Sequence, residues 1–558
     1  MLKLVECVPN FSEGRNKPVI DAIAKEISDT DGVKLLDVDP GADTNRTVVT
    51  FIGSPEGVKE AAFRAIKKAA ELIDMRLHKG AHARMGATDV CPFVPVSGVT
   101  MEDCVAIARD LGKRVADELG IPVYLYEEAA TKPGRISLAD IRSGEYEGLP
   151  EKLKDPEWKP DFGAAKFNAK SGATVIGARE FLIAYNVNLN TTDRKLAHDI
   201  ALTIREAGRN KRDEEGKFVK DENGNIIKEP GLLKATRAVG WYIDEYHQAQ
   251  VSINLINYKI TPPHLAFDTI CEEAARNGLR VTGSELVGLI PLQAMLDAGR
   301  HYLLKQGKSP GVPEEELIET AIMSMGLRDI AEFDPQKKII EYQVREVKGP
   351  LVKKDLRDFA NELSSESPAP GGGSVSALAG ALGAALASMV ANLTVGKKGY
   401  EESWDEMKDV AVNSQRLKDD MLRAVDRDTE AFNSLMNAFA LPKKTEDQIA
   451  ERDSAIEQTT KNACLVPLDV MKHSMEVLQL AKLVAEKGNT NAASDAGVAS
   501  LMAFSAAQGA GLNVKINLPG IKDEAFVDRM KNEVKMMIAD ATKLQREIME
   551  TVHRKIER

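Results

Sequence analysis

The chain has 558 residues, 43% of them hydrophobic and 28% charged, with a formal net charge of −11. That length exceeds one compact core and predicts three or four domains, while the ordinary composition excludes wholesale disorder. The negative balance excludes broad attraction to nucleic acid but leaves room for a locally basic cleft that takes an acidic small molecule.

The first segment alternates strand and helix patterns. Leu2–Val8 is a short apolar run and Lys17–Ile27 has helical periodicity. Val33–Asp39 and Arg46–Ile52 read as strands around the turn Pro40–Asn45. Ser54-Pro55 opens a helix with a capping hydroxyl and a proline in the first turn. Asp89–Val96 is a further strand, Thr100 caps the next helix, and Ile121–Tyr126 is strand again. The core order βαββαβ predicts a ferredoxin-like α/β sandwich.

The same order recurs without visible sequence repetition: strand Phe181–Asn188, helix Thr192–Ala207, strands Ala238–Asp244 and Gln250–Tyr258, helix Thr261–Asn277, then strand Arg280–Thr282. Another helix follows Pro291, and the polar insertion Lys211–Pro230, with its Glu-Asn-Gly-Asn turn, predicts an exposed hairpin. Past Ile339–Val344 the character changes. Arg345–Lys353 has the composition of a linker, and beyond it helical periodicity predicts an all-α bundle. The domain limits expected are 1–181, 182–344, a linker at 345–352, and 353–558. Nothing between Glu366 and Lys397 is charged, but the stretch is rich in Ala, Gly and Ser and poor in large aliphatics. That favours a close-packed interior helix over a membrane span.

The five cysteines (Cys7, Cys91, Cys104, Cys271 and Cys464) are scattered, with no CxxC pair. They predict reduced thiols in a cytoplasmic setting, with neither a disulfide frame nor a structural zinc site. The opening residues carry no signal-peptide pattern.

Three segments have the residue types of a site. In His78-Lys-Gly-Ala-His82-Ala-Arg84-Met-Gly86, the histidine spacing admits a metal pair, but Gly80 interrupts the helix and no further ligand completes it. A structural loop is the plain alternative. The chemical alternative is an imidazole, His82, exchanging protons near neutral pH beside Arg84, a donor fork for carboxylates. Asp39 and Arg46 flank a turn able to approach the same cleft. The junction Trp158–Thr174 has aromatic rings, lysines and glycines, which suit either a linker or a flat ring with an anionic tail. In the bundle, Leu422, Val425, Phe432, Leu435, Met436 and Phe439 form an apolar stripe that includes Asp428. Asp426 lies about 200° away on an ideal helix. A carboxylate in that stripe is either salt-bridged or catalytic, and burial raises its pKa. The Pro-Gly-Gly-Gly-Ser segment ending at Ser374 opens a helix with N–H groups suited to an anion, and it lacks the lysine of a Walker loop. Gly488–Asp495 is a polar break between helices.

The stretches VECVPNFSEGRN, LLDVDPGADTNRTV, HKGAHARMGATDVCPFVPV, PVYLYEEAA, GWYIDEYHQAQVSINL, GSELVGLIPL, APGGGSVSA, VDRDTEAF and GNTNAASDAGVA together resemble the formimidoyltransferase-cyclodeaminase family, over nearly the whole chain. The resemblance implies a transferase half of two α/β subdomains with folate between them. It places a catalytic histidine at His82 and a folate-binding loop at Gly163, Ala164, Ala165, Lys166, Phe167, Asn168, Ala169, Lys170, Ser171 and Gly172. It implies a helical cyclodeaminase with Asp428 as its catalytic aspartate. No metal is called for, and tetrahydrofolate, polyglutamylated, is the co-substrate. The family's assembly is a ring-shaped homo-octamer. On this reading Asp39 orients His82 or stabilises the amidinium, Arg46 and Arg84 hold glutamate carboxylates, and Gly371, Gly372, Gly373 and Ser374 hold the folate tail. Neither nucleic acid nor membrane is an expected partner. Two departures stand out: Ala81 and Ala83 replace the Glu and Pro common in the family loop, and the Lys211–Pro230 region is longer. The rival readings are a glutamate formyltransferase and a folate-binding scaffold without turnover.

Overall fold

In the computed structural model, residues 3–42, 44–80, 83–213, 215–244, 246–344 and 349–557 are described. The chain divides into two compact units, Met1–Ala294 with Met325–Arg345, and Met295–Ser324 with Glu346–Arg558.

The first unit begins with β1 (Leu4–Cys7), β2 (Asn10–Phe11), α1 (Lys17–Ser28), β3 (Val33–Gly41), β4 (Arg46–Gly53), α2 (Pro55–Leu72), β5 (Thr88–Ser97), α3 (Met101–Leu119), β6 (Val123–Glu127), α4 (Leu138–Arg142), α5 (Glu145–Lys152) and β7 (Thr174–Ala178). The helix starts follow their caps. Ser54 accepts from the Gly57 N–H, and Thr100 and Asp103 form a reciprocal capping box. All seven strands join one sheet. Edge strand β3 pairs with β4, and β4 pairs with β1 and β2, which both pair with β5, all antiparallel. β7 then lies parallel between β5 and β6. This strand was not expected: its residues looked like the tail of a junction, and its partners are distant in sequence. Alternate side chains bury two layers. Phe51, Cys91, Phe93, Leu125 and Ile176 pack with helices α1–α3, whereas Tyr124, Tyr126 and Val175 pack with Ile141 and Leu149 of α4 and α5.

Next come β8 (Ile183–Leu189), α6 (Arg194–Ile204), β9 (Arg209–Asn210), β10 (Lys228–Glu229), β11 (Thr236–Ile243), β12 (Gln248–Leu255), α7 (Pro263–Arg276) and β13 (Val281–Val287). The four main strands are ordered β11-β12-β8-β13, each pair antiparallel. Tyr185, Val187, Val251 and Ile253 are buried, as are Ile200 and Ile204 of α6 and Ile270 of α7. The opposite face is polar: the buried Gln250 amide donates to Asn188 and accepts from the Trp241 indole. Between β9 and β10 the insertion makes two turns, closed by Asp213 and Asp221 accepting backbone N–H groups. Only the second was anticipated from its Asn-Gly.

Helices α8 (Leu292–Lys305) and α9 (Glu314–Met325) lie mostly in the second unit, while α10 (Pro335–Lys338) and α11 (Ile340–Val344) belong to the first. The bundle follows: α12 (Leu356–Leu363), α13 (Gly372–Asn392), α14 (Trp404–Phe439), α15 (Glu446–Lys487), α16 (Ala493–Asn517) and α17 (Glu524–Ile556). Among the described residues α13 alone is long and apolar enough to cross a membrane. Its Ala384, Ala387 and Ala391 are buried with Ala499, Ala503 and Ala507 of α16 in one core. Small side chains let the two helix backbones approach closely, which a large residue would prevent.

Candidate functional site

In the first unit, backbone contacts bring three of the sequence segments together. A Cβ at Gly80 would lie 2.2 Å from the Thr44 carbonyl oxygen, so Gly80 rests directly on Thr44 and Asn45, between β3 and β4. Asn45 locks that contact. At φ 48° it adopts the left-handed conformation that asparagine tolerates. Its Oδ1 accepts the Gly14 N–H (3.0 Å), its Nδ2 donates to the Lys79 carbonyl (3.0 Å), and its own carbonyl is 2.8 Å from His78 Nε2. On the other side Gly86 bridges to Gly172. The Ala87 N–H donates to the Ser171 carbonyl (2.9 Å), and the Met75 N–H to that of Lys170 (2.9 Å). The folate-loop candidates therefore flank the histidine loop. His82 itself, with Ala81, lies outside the described residues.

The loop's interior is ordered by Asn168, whose Oδ1 accepts the Ser171 N–H while its carbonyl accepts that of Gly172. Gly163, Ala164, Ala165, Lys166 and Lys170 are exposed, Phe167 and Ala169 half-buried. Tyr146, which no sequence signal marked, donates its hydroxyl to the Ala169 carbonyl at 2.5 Å and sets its ring 5.4 Å from that of Phe167. It also lines an open cleft of about 740 Å³ with Met75, His78, Lys79, Arg84, Glu145 and Glu147.

Arg84 does not present a free fork to this cleft. Its Nη atoms bind Glu145 (2.6 Å) and Glu147 (2.6 and 3.0 Å), and its Nε donates to His78 Nδ1 (3.2 Å). Arg46 is the opposite case: it donates to Asn10 Oδ1, and its buried Nε has no partner among the described residues. Burial lowers its pKa, helped by Arg142 and opposed by Asp89 and Asp39. Asp39 is exposed on β3, opposite Val48. Asp39 and Arg46 thus share a neighbourhood, and Arg84 is tied to α5.

In the helical unit, Asp428 on α14 lies against the start of α13. A Cβ at Gly373 would fall 2.1 Å from Asp428 Oδ1, so this approach requires glycine. Ser374 Oγ is 3.3 Å from Asp428 Oδ2, 2.8 Å from the Val425 carbonyl and 3.4 Å from Thr429 Oγ1. Burial pushes the Asp428 carboxyl up, opposed by the Ser374 hydroxyl and N–H. No salt bridge holds it among the described residues. Asp426, expected to face away from the core, is buried: its Oδ1 accepts the Leu351 N–H (3.0 Å) and its Oδ2 that of Val352 (3.3 Å). The buried face also departs from the apolar stripe near the helix end, since Met436 and Phe439 are exposed while Ala431, Leu435 and Ala438 are buried. Gly371 caps α13, and Gly372 faces Asn513 of α16. Gly488–Asp495 lies at the far end of the bundle, where Asn489 accepts from Lys397 and Thr490 meets Tyr400.

An α/β unit with a loop-built cleft, followed by a helical unit carrying an isolated half-buried carboxyl, is the layout of a two-module enzyme. Residues 4–179 match the family "Formiminotransferase domain, N-terminal subdomain", residues 184–345 "Formiminotransferase domain", and residues 355–536 "Formiminotransferase-cyclodeaminase". The chain is 46% identical to the formimidoyltransferase-cyclodeaminase of Gallus gallus, over 97% of each chain. The glutamate formimidoyltransferase of Streptococcus pyogenes serotype M1 is 43% identical over 54% of this chain and 94% of its own. The methenyltetrahydrofolate cyclohydrolase of Methylorubrum extorquens is 42% identical over 36% of this chain and 97% of its own. The chain belongs to the formimidoyltransferase-cyclodeaminase family.

Proposed function

We propose that the first unit transfers a formimidoyl group from N-formimidoyl-L-glutamate to N5 of tetrahydrofolate, and that the helical unit closes the product to 5,10-methenyltetrahydrofolate with release of ammonia, as a step of histidine degradation. What carries this reading is the relation to the Gallus gallus protein along both halves in one order.

In the transfer, N5 attacks the amidine carbon, a C–N bond forms, and the glutamate nitrogen departs with its bonding pair. The proton lost from N5 must reach that nitrogen, and His82 is the shuttle. The folate ring lies along Gly163–Gly172, beside Tyr146. Arg46, with donors to spare, holds a glutamate carboxylate; Asp39 steadies the amidinium, and Arg84 fixes the loop by binding Glu145 and Glu147. In the closure, N10 attacks the same carbon. Asp428 gives its proton to the amino group that leaves as ammonia and takes the N10 proton in return, so the carboxyl ends the cycle as it began. Gly371–Ser374 borders that site.

The strand order β11-β12-β8-β13 supports a ferredoxin-like sandwich for residues 182–344, with its counterpart in 1–181. On this reading the linker is 345–352 and the cyclodeaminase 353–558. A cytoplasmic location, polyglutamylated folate and a homo-oligomer complete the proposal. The likeness to a cyclohydrolase favours one alternative for the helical unit, in which water opens the methenyl ring.

A coupled assay with tetrahydrofolate and N-formimidoyl-L-glutamate tests the proposal. Ammonia and methenyl absorbance should rise together. Formyltetrahydrofolate in place of accumulated methenyl product would select the cyclohydrolase reading, and no modified folate at all would overturn the whole. Replacing His82 with Ala should lower transfer, and Asp428 with Asn ammonia release, each by roughly 10²–10⁴-fold, without affecting the other step.

A further inference from the structure

Ser374 has one hydroxyl proton and, besides the Thr429 hydroxyl at 3.4 Å, two acceptors within reach, a carbonyl and a carboxylate. The Val425 carbonyl, at 2.8 Å, is the closer; Asp428 Oδ2 is 3.3 Å away. While the proton points to Val425, a Ser374 lone pair faces Asp428 and can accept only from a protonated carboxyl. Once Asp428 has lost its proton, the hydroxyl turns and donates to the carboxylate. Each state of the aspartate thus has a complementary state of the serine, and the exchange needs only rotation about the Cβ–Oγ bond. The Ser374 side chain is fully buried, so water does not take over the role readily. Gly373 sets the distance, because a Cβ there would occupy the place of the carboxylate.

The surroundings leave this pairing dominant. Among the described residues, the causes acting on Asp428 are burial and the two Ser374 donors, with no charged side chain of α13, α15 or α16 among them. Along α14, Asp426 is committed to the Leu351 and Val352 N–H groups, and Arg427 and Glu430 are exposed.

The geometry points to Ser374 as a positioning residue that switches from acceptor to donor as Asp428 delivers its proton, with Gly373 as the spacer that makes the contact possible. This rests on the proposed acid role of Asp428, and it gives the start of α13 a part in proton handling where the sequence suggested only a hold on the folate tail. The balance is simple: one proton leaves Asp428 for the departing nitrogen, one returns from N10, and Ser374 keeps its own throughout.

The test is ammonia release from supplied 5-formimidoyltetrahydrofolate by the full chain, followed against pH for wild type, Ser374→Ala, Ser374→Thr, Gly373→Ala and Asp428→Asn. An acid loses activity as pH rises through its pKa. Removing a donor that stabilises the carboxylate raises that pKa, so the alkaline limb of kcat should move to higher pH in Ser374→Ala. Its kcat should fall roughly ten- to a hundredfold with KM little changed, the loss expected for a hydrogen bond to a charged group. Ser374→Thr keeps the hydroxyl and should restore limb and rate, and Gly373→Ala should lose ammonia release. Unchanged transfer and an unchanged unfolding midpoint certify the fold of each variant. A Ser374→Ala enzyme with wild-type kcat and limb, or a Ser374→Thr enzyme as poor as the alanine variant, overturns the inference while Asp428→Asn remains inactive. An active Asp428→Asn enzyme instead overturns the acid role of Asp428 and the inference with it.

Discussion

In the first unit the candidate site is held by main-chain contacts, Gly86 on Gly172 and Met75 on Lys170, and by one side-chain amide, Asn45, stapling Gly14 to Lys79. In the helical unit it is one side chain on a long helix, pressed against the first turn of another. The first arrangement spreads positioning over three loops, so its geometry depends on many weak contacts. The second concentrates positioning in two helix backbones, so single atoms matter. Loop-built sites should therefore fail when a backbone contact is blocked, and the helix-built site when packing is altered.

Gly86→Val is the sharpest probe of the first half, because a Cβ there would lie 2.3 Å from the Ser171 carbonyl oxygen and 2.4 Å from that of Ala173. Transfer should fall more than about a hundredfold through overpacking and displacement of the Gly163–Gly172 loop, with ammonia release from supplied 5-formimidoyltetrahydrofolate retained. Loss of both activities would show that the units are not separable in this way. Asn45→Ala leaves the Gly14 N–H and Lys79 carbonyl without their partner, which costs about 1–3 kcal/mol locally, and kcat/KM for transfer should drop about tenfold. For the other half, Ala503→Leu forces a large side chain into the α13–α16 core and should lower that unit's stability by about 1–3 kcal/mol. On heating, ammonia release should fail before transfer does; simultaneous loss would blur the distinction.

The smallest effect is a pH dependence. Glu6, buried on β1, is pushed up from 4.5 to about 7 by burial, with Arg179 opposing and Glu341 reinforcing. A carboxyl whose folded pKa is raised binds its proton more tightly in the folded state. Its contribution is complete below 4.5 and is lost as pH rises through about 7. Glu6→Gln should therefore match wild type in thermal midpoint at the acid end and exceed it above neutrality. A gap that stays constant with pH would assign the effect to packing.

Much of this architecture was legible locally. Helix α1 occupies the span that its periodicity marked, and the Ser54 and Thr100 caps start their helices as their chemistry requires. Asp428 stood out because a carboxylate in an apolar stripe asks for a reason. What escaped was non-local. β7 is defined by partners on both sides that lie far from it in sequence. Asp426 is buried because residues near 351 return to cover its face, and helical periodicity marks a face without saying what else will cover another. Arg84 read as an open fork because its partners, Glu145 and Glu147, lie about sixty residues on. Tyr146 bears on the Gly163–Gly172 loop through a contact to the Ala169 carbonyl, which carries no residue signature at all.

The two-turn arm between β9 and β10 has a practical consequence. Gly216 and Gly224 sit at its tips with φ of 82° each and open space where a Cβ would project. Exposed loop tips tolerate inserted sequence. A fluorophore-binding tag or affinity handle spliced in beside either glycine would report on or immobilise the protein from a point with open space around it. The insertion thus supplies an attachment point on which both activities can be followed in the same tethered molecule.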